Sequence, residues 1–345
     1  MANYAGFLAA RRAKAGWNVQ RDGFTGRAEE RLRVYVSEET HTWISKATDM
    51  FGLGTSSIRW IRCDDELRMD TSELERAVER DLEEGNRPFM VVGTAGSVGT
   101  GAVDPLDRIA EICRAHDLWF HVDGAYGALA AVVPDVRALF AGMSEADSIA
   151  VDPHKWLYAP LEAGGVLVRD ATALRDAFSY HPDYYKFDEI DGEMPVNLVD
   201  YSPQNSRGFR ALKVWLGLRH VGRAGYEEMI GDDMALARKL FTLCEAHPEL
   251  EAHYCKLSIT TFRYVPEDLR VDTGGNAEYL DELNEKLLTE LQEGGDLFVS
   301  NAVVGGVYLL RACVVNFRTS EADMEAIART VAAVGREVDR RLRGQ

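Results

Sequence analysis

The sequence predicts an α/β protein built on a mostly parallel sheet, with a smaller α+β module after it. Three observations predict this. Short apolar runs alternate with amphipathic helical stretches up to about residue 212, as strand–helix–strand units require. Polar residues beside glycine and alanine follow several of those runs, and ligands of open α/β sheets bind beyond the carboxyl ends of strands. From residue 213 the pattern changes to a long helical stretch, two strand candidates and a final helix. The expected division is a large domain over 1–212 and a small domain over 213–345.

The elements follow in order. "MANYAGFLAARRAKAG" reads as helix from its second residue with no capping side chain ahead of it, the start expected of a chain cut from a longer one. "LRVYVS" (32–37) is strand-like, "HTWISKATDMFG" is helical, and "SIRWI" (57–61) is the next strand. "DTSELERAVERDLEEG" is a helix with Asp70 as its cap, Glu73 three residues on and Gly85 at its end. "FMVVGTAG" (89–96) is a strand and a glycine turn, "DPLDRIAEICRAHD" (104–117) a helix, and "LWFHVDGAYG" (118–127) a strand and a turn. "SIAVD" and "GGVLVRD" are two further strands. The stretch 185–206 is long and loop-like, a length that compact enzymes reserve for functional or disordered segments. The run beginning "RALKVWLGLRHVG" is helical almost throughout, followed by strand candidates at 256–265 and 308–317. In the last helix Met324, Ile327, Val331, Val334 and Val338 recur at three and four, an amphipathic stripe.

Composition narrows the function classes. The chain of 345 residues has an apolar fraction of 46% and a charged fraction of 28%, ordinary for a globular protein with a large core. A formal charge of −17 argues against nucleic acid, because no basic stripe is present to neutralise phosphates. Five cysteines lie dispersed at 63, 113, 244, 255 and 313, in no metal-binding spacing. Dispersed thiols, no apolar run of spanning length and no signal-peptide pattern imply a cytoplasmic protein with no metal and no membrane partner.

The chemistry centres on "WFHVDGAYGA" and "VDPHKWLYAP". Asp123 follows a buried strand and is followed by the small residues Gly124 and Ala125. Alone, it is a solvated turn aspartate. Lys155 comes 32 residues later, again just after a strand, a spacing that allows one strand–helix–strand passage. Both side chains can then reach one pocket. An amine and a carboxylate there suit an aldehyde cofactor with a pyridine ring: the amine binds the aldehyde, and the carboxylate keeps the ring nitrogen protonated.

"SEETHTWISKA", "GTAGSVGTGAVDPLDRI", "HVDGAYGA", "DPHKWLYAPLEAGGVLVRD" and "NSRGFRALKVW" together resemble the group II pyridoxal-phosphate-dependent amino-acid decarboxylases, in that family's order and spacing. The resemblance implies an aspartate-aminotransferase-like fold (fold type I), pyridoxal 5'-phosphate as cofactor, a small amino-acid substrate and a homodimer. It makes Lys155 the Schiff-base lysine, Asp123 the partner of the pyridinium nitrogen, and Ala125 the contact on one ring face. His41 stacks on the other face; outside this set it would read as a surface histidine at a helix start. His154 resembles the family histidine beside the lysine. Ser97 and Thr100 are candidate hydroxyl donors, with Val98 standing where the family often has a second hydroxyl. Asp152 stands where some members carry asparagine near the phosphate. A carboxylate would repel that group, so Asp152 is expected to bond backbone or a neighbour.

"HPDYYKF" matches the family's mobile catalytic loop. It makes Tyr184, with Tyr185 as its alternative, the phenol that returns a proton to the substrate; otherwise it is an aromatic anchor for the loop. Members with phenylalanine there tend to form aldehydes, so Tyr184 favours simple decarboxylation. Arg207 matches an arginine that orients the loop or a carboxylate, and is otherwise a surface group. Trp43 replaces a small residue and either narrows the substrate pocket or packs into the core.

The family's Gly-Ser/Thr-x-Ala-Asn phosphate turn is matched only in its last two residues, Ala2 and Asn3. Three readings stand at this point: a decarboxylase acting on an aromatic or hydrophobic L-amino acid, a non-catalytic remnant that dimerises or binds a partner, and another pyridoxal-phosphate chemistry such as aldehyde synthesis or sulfur-group transfer.

Overall fold

The computed structural model describes residues 1–24, 31–181, 196–295 and 297–344. They form two compact units, one of residues 1–95, 103–131 and 136–220, the other of 96–102, 132–135 and 221–345.

The first unit begins with α1 (Ala2–Lys14), which has no side-chain cap, and α2 (Val19–Asp22). It continues through β1 (Leu32–Ser37), α3 (Trp43–Met50), β2 (Ile58–Ile61), α4 (Thr71–Glu83), β3 (Arg87–Thr94), α5 (Leu106–Ala115), β4 (Trp119–Asp123), β5 (Ser148–Val151), α6 (Pro153–Trp156), β6 (Gly165–Val168) and α7 (Thr172–Phe178). The strands form one sheet in the order β2-β1-β3-β4-β5-β6, parallel throughout except for the β5–β6 pair. Every residue of β1 and of β4 is buried. That is the signature of a parallel sheet covered on both faces, where continuous apolar runs replace alternation. Asp70 caps α4 as its sequence implies, accepting from the N–H groups of Ser72 and Glu73.

Two features differ from the sequence reading. Between β4 and β5 the chain makes short 3-10 turns (Gly127–Val132, Pro134–Phe140, Met143–Glu145) instead of one α-helix. Pro134 and Gly142, the latter at φ 84°, break any longer helix there. The long helix α8 (Ala211–Ala246) is interrupted at Gly222 (φ 70°, ψ 173°), and the chain leaves the first unit for the second between His220 and Val221.

In the second unit, β7 (Leu250–Lys256), β8 (Ile259–Tyr264), β9 (Ser300–Val304) and β10 (Val307–Cys313) form an antiparallel sheet in the order β7-β8-β10-β9. Its core joins Phe262 and Leu310 of the sheet to Leu283 and Leu287 of α9 (Ala277–Gly294), and to Met324, Val331 and Val338 of α10 (Glu321–Leu342).

One packing detail bears on the site. α1 lies against β4, and Gly6 makes that approach possible: a Cβ there would meet the His121 ring at 2.8 Å and Ser148 Oγ at 3.2 Å. Alanine normally stabilises a helix over glycine by about 1 kcal/mol. At this position the overpacking, worth about 1–3 kcal/mol, outweighs that gain. Gly6→Ala is therefore expected to lower the denaturant midpoint with an unchanged slope, whereas a raised midpoint would show that α1 does not sit on His121.

Candidate active site

The site is built where β4 and β5 end side by side. Their register pairs Asp123 with Ala150, and the pairing continues past the strands. Gly124 N–H donates to the Ala150 carbonyl (3.0 Å), and Asp152 N–H to the Ala125 carbonyl (3.2 Å). The turn after Asp123 is thus tied to the residue that opens α6, the single turn bearing His154 and Lys155. Side chains reinforce the tie: Tyr126 and Trp156 stack with centroids 4.9 Å apart and planes 9° off parallel, and both are buried. Gly124 is required there, since a Cβ would meet that of Ala128 at 2.3 Å.

Asp123 is buried, and each of its oxygens takes one donor. Ala125 N–H donates to Oδ1 (3.2 Å) and the Trp43 indole N–H to Oδ2 (2.7 Å). A carboxylate offers about four lone-pair sites, so each oxygen has room for a further donor. Lys155 is half-exposed, and its Nζ lies 3.0 Å from Asp152 Oδ2. Asp152 thus bonds a neighbour, as the sequence suggested. His154 is half-buried, with Nδ1 within hydrogen-bond distance of both the carbonyl (2.6 Å) and the N–H (3.0 Å) of Ala163. Ala125 is half-buried beside Asp123.

His41 is exposed just before α3, and its Nδ1 accepts from the Trp43 backbone N–H (3.2 Å). Trp43 itself is core, as one of the two sequence readings had it, but its indole is also a polar partner of Asp123. Arg207 is exposed and reaches Ser202 Oγ at 3.4 Å. Ser97 and Thr100 are buried in the second unit, where their hydroxyls bond each other at 3.1 Å. Tyr184 and Tyr185 lie outside the described residues. A cavity lined by Arg11, Arg12, Phe178, Tyr180 and Asn205 contains none of these groups.

Sequence reasoning missed a buried polar chain behind Asp123. Trp119 Nε1–H donates to Ser148 Oγ (2.8 Å), Ser148 Oγ lies 2.7 Å from His121 Nδ1, and His121 Nε2 lies 2.9 Å from Asn3 Oδ1. The arrangement is satisfied by a neutral His121 that accepts at Nδ1 and donates at Nε2. Burial pushes its pKa down to about 4, against a smaller opposing pull from Asp123. The histidine two residues before Asp123, on the same strand face, was the available signal.

The family model described as "Pyridoxal-dependent decarboxylase conserved domain" matches residues 1–264. The chain belongs to that family. An aromatic-L-amino-acid decarboxylase of Bacillus atrophaeus is 32% identical over 98% of this chain and 68% of its own length. Tyrosine decarboxylase 2 of Arabidopsis thaliana is 32% identical over 82% of this chain, which spans about half (51%) of that protein. Among solved structures, mouse CSAD superposes with a TM-score of 0.89 at 29% identity, covering 97% of this chain and 70% of that one. Oryza sativa TDC, solved with PLP and tryptamine, gives 0.88 at 28%, covering 97% and 68%. The decarboxylase family has the fold type I architecture, and its members depend on pyridoxal phosphate. The residues at the ends of β4 and β5 fit that group: a buried carboxylate with a lone-pair site to spare, small neighbours, and a reachable amine one strand away.

The neutral His121 makes a testable contribution to pH dependence. Its folded pKa, about 4, lies below the ordinary 6.5, so the unfolded chain binds the proton first. The stability involved is present above pH 6.5 and is lost as pH falls through about 4. Its size is on the order of 3 kcal/mol at most. Melting curves of wild type and His121→Gln, which keeps a donor and an acceptor, should diverge in acid-dependence within this window; parallel curves would show that His121 is not held neutral.

Proposed function

We propose that the chain decarboxylates an L-amino acid with an aromatic or hydrophobic side chain, giving the amine and carbon dioxide. The observation that carries this reading is the pair of groups at the ends of adjacent parallel strands, Asp123 on β4 and Lys155 just past β5. Bound pyridoxal phosphate supplies an electron-accepting ring that takes up the pair left when the carboxylate departs. Asp123 holds a proton at the ring nitrogen. Lys155 would hold the cofactor aldehyde through its amine, and Asp152 would hold that amine whenever it is not so engaged. His41 covers one ring face, Ala125 leaves space on the other, and His154 borders the lysine. Arg207 orients the loop or a carboxylate. Tyr184 delivers the proton that replaces the lost carboxylate; Tyr185 is its alternative.

The choice of an aromatic or hydrophobic substrate is supported by the relatives, an aromatic-L-amino-acid decarboxylase and several tyrosine decarboxylases. A second reading, aldehyde synthesis, is favoured by one of them, a phenylacetaldehyde synthase of a Rosa hybrid cultivar, 30% identical over 82% of this chain. The decarboxylase reading includes a cytoplasmic location and a homodimer, the latter supported by the apolar side chains of Phe209, Trp215 and Leu216 exposed along 209–216. Among the described residues no helix is long and apolar enough to cross a membrane.

The test is a panel of L-amino acids assayed for amine and carbon dioxide in the presence of pyridoxal phosphate. One amine per carbon dioxide is expected. Aldehyde and ammonia formed with consumption of oxygen would replace this reading by the second. Borohydride reduction with peptide mapping should place the cofactor on Lys155, and Lys155→Ala and Asp123→Ala should each lower kcat/KM at least about 1,000-fold, a loss of the size that one positioned acid–base group accounts for.

A further inference from the structure

We propose that Trp43 is a positioning residue that sets both groups expected to clamp the cofactor ring, Asp123 at its edge and His41 on its face. This rests on the pyridoxal-phosphate reading above. The indole is wedged into the core, with Tyr4 and Phe7 of α1 on one side (centroids 6.5 Å each) and His121 edge-on at 5.8 Å. Phenylalanine could fill much of that space. What it could not supply is the N–H donor, and a buried indole N–H needs a partner. Here the partner is the Asp123 carboxylate at 2.7 Å, a charge-assisted bond across 80 residues of chain.

The same residue acts a second time through its backbone. Its N–H donates to His41 Nδ1 at 3.2 Å, which selects the tautomer with the proton on Nε2 and fixes the imidazole relative to α3. Together with Ala125 N–H on Oδ1, the indole leaves the carboxylate one orientation, so the directions of its free lone pairs are fixed. A carboxylate that must meet a single ring nitrogen gains from being aimed before the ring arrives. The bulky residue at position 43 thus fixes the geometry of the acid that binds the ring, while its backbone fixes the imidazole.

The test titrates Trp43→Phe and wild type with pyridoxal phosphate, followed by visible circular dichroism and by absorbance against pH. The variant is expected to bind about tenfold more weakly, the loss typical of one charge-assisted hydrogen bond. The dichroism per bound cofactor should fall, and the pH at which the bound cofactor changes colour should move. A residue that only packs would lower the melting temperature and leave these three readouts unchanged, which would overturn the proposal. Should the variant not fold, the wild-type chain with 15N-labelled indoles decides. Of its six tryptophans, one indole N–H signal should shift in Asp123→Asn without cofactor, and in wild type on adding pyridoxal phosphate. No responsive signal in Asp123→Asn would overturn the proposal. A wild-type chain that binds no pyridoxal phosphate would overturn the preceding reading, and the cofactor-free comparison would still decide whether the indole holds the Asp123 carboxylate.

Discussion

The side-by-side pairing of β4 with β5 up to their carboxyl ends is the constraint from which the site follows. Two parallel strands share a register at Asp123 and Ala150, and backbone bonds from Gly124 and Asp152 extend that register into the turns beyond. A turn at a strand end is ordinarily free to vary. Here the Tyr126–Trp156 stack removes that freedom, because one ring comes from the Asp123 turn and the other from the single turn carrying Lys155. Stacked aromatic pairs are worth about 0.5–1.5 kcal/mol beyond their buried area. Stability is the smaller part of their effect at this place. A four-residue helix cannot persist alone, so the side chains that anchor it determine where its lysine stands.

Behind the carboxylate lies a second constraint, of polarity. Asp123 and His121 are on one face of a buried strand, and every polar atom there needs a partner. The protein meets that need by alternating donors and acceptors: Trp119, Ser148, His121 and Asn3 in one chain, Trp43 and Ala125 on the carboxylate. Holding His121 neutral keeps a second formal charge out of the interior. The negative charge of Asp123 is then compensated by oriented dipoles, and a cationic ring nitrogen at one of its free lone-pair sites would be its only full counter-charge among these groups.

Much of the first unit was legible because its sheet is buried on both faces. Runs such as "LRVYVS" and "WFHVD" are mostly apolar and buried throughout, Gly124 follows the second of them, and Asp70 marks the start of α4. The second unit was less so. β7 and β9 are edge strands of an antiparallel sheet; β7 has mostly half-buried side chains, and β9 turns the apolar Val303 outward between buried Ala302 and Val304, so neither sequence gives a run or a polar–apolar alternation. Of the site, Asp123 and Lys155 could be paired from spacing and small neighbours. The indole of Trp43 could not, since hydrophobicity describes its ring and says nothing of where its N–H points. The Asn3–His121 bond joins residues 118 apart, and no local pattern carries it.

The Lys155–Asp152 pair shows how exposure suits the amine to its proposed task. Breaking a fully buried ion pair leaves an uncompensated charge and costs about 3–5 kcal/mol, enough to lock a lysine in place. A pair at a solvent-reachable position contributes about 0–1 kcal/mol. With side chains 42% and 21% exposed, this pair lies toward the weak end. The carboxylate can therefore hold the amine in one place without withholding it from an aldehyde. Asparagine at position 152 would bond the amine as a neutral acceptor and leave it less strongly held. Aspartate adds charge attraction, so the lysine has a defined position whenever it is not covalently engaged, and water screens the attraction enough for the exchange to stay reversible.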